Sequence, residues 1–194
     1  MLKNDTWIFE QASQGMIKPF EVGQVRKLQE RPVISYGVSS YGYDIRLSPN
    51  DFRVFQRIPG KILDPKSEVP EGALVPQGLA KTSRGEYFII PGNSYALGVS
   101  LERFKIPRNI TTLCVGKSTY ARCGIIANVT PAEAEWEGHL TLEFSNSSPS
   151  PCRMYANEGV VQLLFLEGEP CQVSYGDRNG KYQNQPESVV LAKM

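Results

Sequence analysis

The sequence predicts a mainly β fold: a β-barrel or sandwich of many short strands with a few short helices. Three observations predict it. Short runs alternate apolar and polar residues, as in Tyr43-Asp44-Ile45-Arg46-Leu47 and Leu140-Thr141-Leu142-Glu143-Phe144. Gly and Pro punctuate such runs at Pro59-Gly60, Pro70, Gly72, Pro76, Gly78, Pro91-Gly92 and Pro107. The chain has 194 residues, 41% of them hydrophobic, which is enough for one domain with a sizeable core.

Asn4 or Asp5 can cap a first helix through Trp7, Ile8 and Ala12, and Gly15 can stop it. A second short helix is expected over residues 23–30. From Val33 onward the signals are strand-like: Tyr43, Ile45 and Leu47 alternate with Asp44 and Arg46, and Gly37 and Gly42 bracket the start and permit tight backbone turns. Further strands are expected at 52–56, 87–90, 95–99, 111–115, 125–129, 140–144, 159–165 and 171–175. Residues 58–82 are irregular and rich in Pro and Gly, which suits an insertion or a subunit-contact arm. No internal repeat interrupts the chain, so residues 1–194 read as a single domain.

Composition excludes several functions. The formal net charge is +1, so bulk charge cannot hold a polyanion, and no nucleic-acid partner is expected. A local phosphate site needs only a few residues and stays compatible. No apolar run approaches the ~20 residues of a membrane span. Residues 1–5 lack the features of a signal peptide, so a cytoplasmic protein is expected. The four cysteines (Cys114, Cys123, Cys152 and Cys171) show no C-x-x-C spacing and read as reduced thiols. His139 is the single histidine. A zinc-dependent nucleobase deaminase needs H-x-E and P-C-x-x-C, but Leu140 and Thr141 follow His139 and no C-x-x-C exists. No zinc site is therefore expected. A Ser-His-Asp triad lacks any supporting motif.

The most informative stretch is residues 116–146, GKSTYARCGIIANVTPAEAEWEGHLTLEFSN. In its closing strand Leu140, Leu142 and Phe144 face one way, while His139, Thr141 and Glu143 face the other. Glu143 is then either a solvated strand residue or a carboxylate held for chemistry. Upstream, Lys117, Ser118 and Arg122 place two cations and a hydroxyl in one segment. About two helical turns over 117–123 would set Ser118 and Arg122 at i and i+4 on one face. A Gly before a cationic helical start suits an anionic ligand, though a charged surface turn is the commoner explanation of such a segment. The Walker spacing is absent.

GKSTYARCG followed by VTPAEAEWEGHLTLEFSN resembles dCTP deaminase, within the trimeric dUTPase-like superfamily. SSYGYDIRL at 39–47 resembles the first motif of that superfamily. YANEGVVQLLF at 155–165 and SYGDRNGKYQNQ at 174–185 are similar to the deaminase's later segments. The likeness covers most of the chain in the family's order. It implies metal-free hydrolytic deamination of dCTP to dUTP and ammonia, in pyrimidine deoxynucleotide biosynthesis.

Water must then be activated without a protein-bound metal. A single desolvated carboxylate can take the water proton, protonate N3 and pass a proton to the leaving amine. The resemblance implies that Glu143 is this acid/base, that Ser118 helps hold the water, and that Arg122 orients carboxylate and ligand. Backbone carbonyls near 129–131 would complete the water's hydrogen bonds. Substrate contacts implied are Lys117, Ser118, Thr119, Tyr120, Ala121 and Arg122, then Thr141, Leu142 and Glu143. Thr141 and Leu142 would read the pyrimidine edge through their backbones. Gln162 is either a solvent-facing strand residue or, by the resemblance, a nucleotide contact. Tyr175, Lys181 and Gln185 belong to a C-terminal segment, near 174–194, that closes over the nucleotide. Mg²⁺ would arrive on the substrate triphosphate. A homotrimer and feedback inhibition by dTTP are implied as well. Asp44 is expected to be structural, at a subunit contact. One departure bears on function: the stretch PAEAEWEG at 131–138 lacks the Asp with which dUTPases position their water. The alternatives are a bifunctional enzyme that continues to dUMP and pyrophosphate, and a non-catalytic nucleotide-binding regulatory module.

Overall fold

The computed structural model describes residues 1–128 and 130–193. Helix α1 (Asp5–Ser13) opens the chain as expected. The Asn4 side chain accepts a hydrogen bond from Trp7 N at its start, and Ile8 and Ala12 are the residues it buries. Strands β1 (Ile17–Lys18), β2 (Val25–Leu28), β3 (Arg31–Ser39) and β4 (Gly42–Phe55) follow. The helix expected over 23–30 is not there; β2 pairs antiparallel with β3 instead. Arg26, Lys27 and Leu28 are all exposed, so a helix would have had no apolar face to bury. Hairpin pairing decides the conformation.

Residues 58–82 are irregular apart from β5 (Leu74–Pro76) and β6 (Ala80–Thr82). Then come β7 (Gly85–Ile90), β8 (Ser94–Lys105), β9 (Ile110–Gly116), α2 (Ser118–Ala121) and β10 (Ile125–Ala127). The chain continues with β11 (Glu137–Asn146), β12 (Cys152–Tyr155) and β13 (Gly159–Glu167). Helix α2 is one turn rather than the two expected. The strand expected at 171–175 is absent. Arg108 donates to the carbonyls of Cys171 and Gln172, and Asp177 accepts from Ser174 N, so a turn takes the backbone groups that a strand would have paired.

Ten strands form one antiparallel sheet with the central order β10-β11-β8-β4-β13-β9, and β12-β7-β6 form a second. Strand β4 joins the large sheet together. Its start pairs with β3 and β13, and its end pairs with β8 and β5, with a register shift between Leu47 and Phe52. It is covered on both faces where it changes partners, so Asp44 and Arg46 are buried along with Tyr43, Ile45 and Leu47. Glu102 on β8 offsets part of this burial, its carboxylate accepting from Arg46 Nε at 2.7 Å and from Arg46 N at 2.9 Å, while Arg46 Nη2 is buried without a hydrogen-bond partner among the described residues. The two sheets meet through Phe52 and Phe88, stacked with ring centroids 4.7 Å apart, and Phe144 lies beside them. Gly98 on β8 permits this packing, because a Cβ there would stand 2.7 Å from Leu47 Cδ1. No helix among the described residues is long and apolar enough to cross a membrane.

Candidate active site

Strand β11 builds the site. Its exposure alternates without a break: Leu140, Leu142 and Phe144 are buried, and His139, Thr141 and Glu143 are half-buried on the other face. Thr141 and Glu143 border a cavity of about 960 Å³, and Phe55, Leu97, Trp136 and Leu140 give it apolar walls. Its remaining boundary comes from Thr130 to Glu133 and from the C-terminal chain: Tyr175, Arg178, Lys181, Tyr182, Gln185 and Val190. The space suits a ligand the size of a nucleotide.

The C-terminal chain lies over β11 as a strap. Trp136 Nε1 donates to the Tyr182 carbonyl at 2.8 Å, Asn184 N to the Glu137 carbonyl at 2.7 Å, and His139 N to the Gln185 carbonyl at 3.0 Å. The Thr141 hydroxyl donates to Gln185 Oε1 at 3.0 Å and accepts from Val190 N at 3.3 Å. Gly138 lets the strap come this close. Its φ is +145°, and a Cβ would stand 2.6 Å from Gln185 N. Farther along, Val189 N donates to Asp51 at 2.9 Å. Near the strap's start, Arg108 bridges Glu135 and Asp177, both at 2.7 Å. Hydrogen bonds from Arg108 and from Ser174 N pull the Asp177 carboxyl down to about 2.

The strap and β10 occupy one edge of β11 but leave a gap. His139 N pairs with the strap and the Glu143 carbonyl accepts from Asn128 N. Peptide groups alternate sides along a strand, so those of Thr141 point to the same edge, between the two occupied positions. That is where a planar heterocycle can be read by backbone.

Glu143 carries no ion pair among the described residues, and burial raises its carboxyl above the ordinary carboxylate range. Tyr95, beside it on β8, is pushed up to about 12 by burial and by the Glu143 charge. Two cations, Arg178 and Lys181, line the same cavity. Arg178 pairs with Glu133 and stacks on Tyr175, and the Lys181 ammonium donates to the Lys193 carbonyl at 3.3 Å. The cavity thus combines apolar walls, a carboxyl raised by burial and two cationic side chains.

The residues singled out by sequence fall into two groups. Thr141, Glu143, Tyr175, Lys181 and Gln185 meet at this cavity. The Leu142 side chain is fully buried in the core, which leaves only its backbone for a ligand. The α2 segment does not border the cavity. Ser118, Thr119, Ala121 and Arg122 are exposed, and Arg122 Nη1 donates to the Ser118 carbonyl at 3.1 Å. Tyr120 is buried, its hydroxyl accepting from Tyr155 N at 2.9 Å. Lys117 pairs with buried Asp44 at 2.5 Å and donates to Ser35, and Gln162 Nε2 donates to the same Asp44 at 3.1 Å. Asp44 therefore ties α2 to β4 and β13. His139 turns its ring toward the Ser100 carbonyl, 3.0 Å from Nδ1, outside the cavity lining. Of the carbonyls expected at 129–131, that of Val129 lies outside the described residues.

The family model for dCTP deaminase-like proteins matches residues 3–168. A dCTP deaminase of Acidobacterium capsulatum is 54% identical over 194 residues, covering 100% of this chain and 99% of the relative. That of Legionella pneumophila strain Paris is 56% identical over 186 residues, 95% of each chain. The chain belongs to the dCTP deaminase family. The crystal structure of 2'-deoxycytidine 5'-triphosphate deaminase from Agrobacterium tumefaciens shares the fold. The TM-score is 0.58 at 15% identity, over 86% of this chain and 48% of that one. In this family member, sequence reading missed Trp136, Arg178 and Val190 at the site. Trp136 lies inside the quoted WEG segment and Arg178 inside SYGDRNGK, so proximity to motif residues was the available signal. Val190 carried none, since only the strap's path brings it to Thr141.

Proposed function

We propose that this chain hydrolyses dCTP to dUTP and ammonia, with Glu143 transferring the protons. The observation that carries this is the setting of Glu143: a half-buried carboxyl, raised by desolvation, in the wall of a cavity that Arg178 and Lys181 also line. Water adds at C4 of the cytosine, and Glu143 takes its proton and delivers it to N3. The tetrahedral C4 then loses its amine as ammonia, with Glu143 relaying the hydroxyl's proton to the leaving nitrogen. The Thr141 peptide groups read the pyrimidine edge, and Phe55, Leu97 and Leu140 exclude bulk water around it. Lys181 and Arg178 face the phosphates. The substrate is the Mg²⁺ complex of dCTP, its cation held by phosphate oxygens and water. Among the described residues, no three of His, Cys, Asp or Glu gather as a metal cage.

The sites are shared between copies in a homotrimer. This is supported by α2, whose Ser118 and Arg122 are exposed and have no place in their own chain's cavity. A neighbouring copy's α2 supplies the hydroxyl and guanidinium that hold the attacking water and orient the carboxylate. Lys117, fixed by Asp44, sets the start of α2 for this role. The enzyme belongs in the cytoplasm with the deoxynucleotide pool, and dTTP, a pyrimidine triphosphate of similar shape, competes for the same cavity.

Incubation with dCTP and Mg²⁺, followed by product identification, tests the reaction. Ammonia with dUTP is expected. Pyrophosphate with dUMP would make the enzyme bifunctional, and binding without turnover would make it a regulatory module. A zinc-selective chelator, with Mg²⁺ in excess, should leave the rate unchanged. Activity lost to it and restored by zinc would overturn the metal-free mechanism.

A further inference from the structure

Strand β8 carries extra residues opposite β11. His139 pairs with Arg103 and Thr141 with Val99, so Ser100, Leu101 and Glu102 together stand opposite Leu140. An unbroken register would set Glu143 opposite Val99. The bulge sets it opposite Leu97, a wall of the cavity. Bulged residues miss their ladder partners, and here side chains supply the hydrogen bonds. The Ser100 hydroxyl accepts from Leu140 N at 2.8 Å and donates to the Glu102 carbonyl at 2.7 Å. All three residues are buried, and Ser100 is fully so. On the far flank the Glu102 carboxylate accepts from Arg46 N on β4 at 2.9 Å. His139 Nδ1 donates to the Ser100 carbonyl at 3.0 Å, the tautomer that a carbonyl partner requires. Ser100 itself does not border the cavity.

We infer that Ser100 is a positioning residue for base recognition: it holds the Thr141 peptide groups at the angle that reads the pyrimidine edge. This rests on the reading of the cavity as a dCTP site. Leu140 and Leu142 flank Thr141 and turn their peptide groups toward β8, so those of Thr141 turn to the open edge. Leu142 is held by regular pairing with Gly98. Leu140 N is held instead by the Ser100 hydroxyl, across the bulge. Without that hydroxyl, Leu140 N and the Glu102 carbonyl each lose this partner in a buried place. The strand can restore those bonds only by shifting between His139 and Thr141. A hydrogen bond weakens steeply with misalignment, so the shift is felt at the base edge. Glu143 keeps its ladder position beyond Leu142, opposite Leu97, so proton transfer is affected less.

The test compares full-length wild type, Ser100→Ala and Ser100→Thr in dCTP calorimetry and in ammonia release. Ser100→Ala should weaken dCTP binding and raise KM by about tenfold, the worth of roughly one neutral hydrogen bond, while kcat falls by less than about threefold. Ser100→Thr keeps the hydroxyl and should recover the affinity to within about threefold of wild type. A change that only loosened the fold would lower the fraction of active sites, and hence kcat, and leave KM alone. If Ser100→Ala does not fold, Ser100→Cys makes the same comparison, with a thiol of similar size that accepts weakly. Two results would each overturn the inference: an unchanged KM, whatever happens to kcat, or a folded Ser100→Thr that binds as weakly as the alanine or cysteine variant. Calorimetry reads base recognition without turnover, so a wild type that binds dCTP but releases no ammonia would sink the proposed reaction alone.

Discussion

Glu143 is a carboxyl held where ionisation is costly. Its neighbours on β11 are buried, its own face is half-covered, and no described cation offsets the charge. Burial raises its pKa, so the folded state binds this proton more tightly than the unfolded state. The stability this gives is fully present below the unfolded carboxyl's pKa and is lost as pH rises through the folded value. Glu143→Gln, which carries no charge, should therefore melt above the wild type near neutral pH, and the gap should close as the pH approaches ~4. A variant that melts lower at neutral pH would show that the ionised group is stabilised by a partner. The same change should lower turnover by 10²–10⁴-fold or more, an order-of-magnitude expectation for about one acid–base group. Affinity for dCTP should stay within about tenfold, or ~1.4 kcal/mol, in calorimetry. Wild-type turnover should fall as pH drops through the raised pKa, because the ionised carboxylate must accept the water proton. A rate that is flat across the acidic range, or near-normal turnover by the variant, would remove Glu143 from the chemistry.

The strap is the element on which closure depends. Its hold on β11 is local and polar: Trp136 to Tyr182, Asn184 to Glu137, and Thr141 with Gln185 and Val190. The core of β4, β8, β11 and β13 does not require it. Deleting residues 176–194 should therefore greatly weaken turnover at low dCTP while circular dichroism still reports the β fold. Full turnover by the truncated chain would refute the strap's role. We expect the segment to order on nucleotide binding, seen as slowed amide exchange over 176–185. Gly138→Ala is a finer probe, since it adds a methyl where Gln185 N stands 2.6 Å from the ideal Cβ position. It should raise KM more than it lowers thermal stability. An unchanged KM would mean that the strap can shift without cost.

For the whole molecule, the question is how α2 reaches a cavity. Trimer formation predicts complementation. Glu143→Gln and Arg122→Ala should each be nearly inactive alone, but co-refolded in equal amounts they should regain roughly a quarter of wild-type sites, from random pairing of neighbours around a ring. Light scattering on the wild type should report three chains. A stable, active monomer, or no recovery on mixing, would place the whole site within one chain.

The sequence by itself determined most strands, the capped first helix and the face on which Glu143 stands. These depend on period-two alternation and local capping, which neighbouring residues alone express. It also determined the family, through motifs spread from Ser39 to Gln185 in one order. It misread residues 23–30 and 171–175. There pairing with β3 and the reach of Arg108 across the fold choose the backbone, and local propensity does not contain either partner. Tertiary structure alone decided that Asp44 gathers Lys117 and Gln162 and that Val190 meets Thr141. Each joins residues far apart in the chain, and their proximity is set by sheet order and strap path. It also divided the predicted site residues into a cavity group and an α2 group. Spacing along one strand or one helical turn fixes direction but not which surface a segment finally faces.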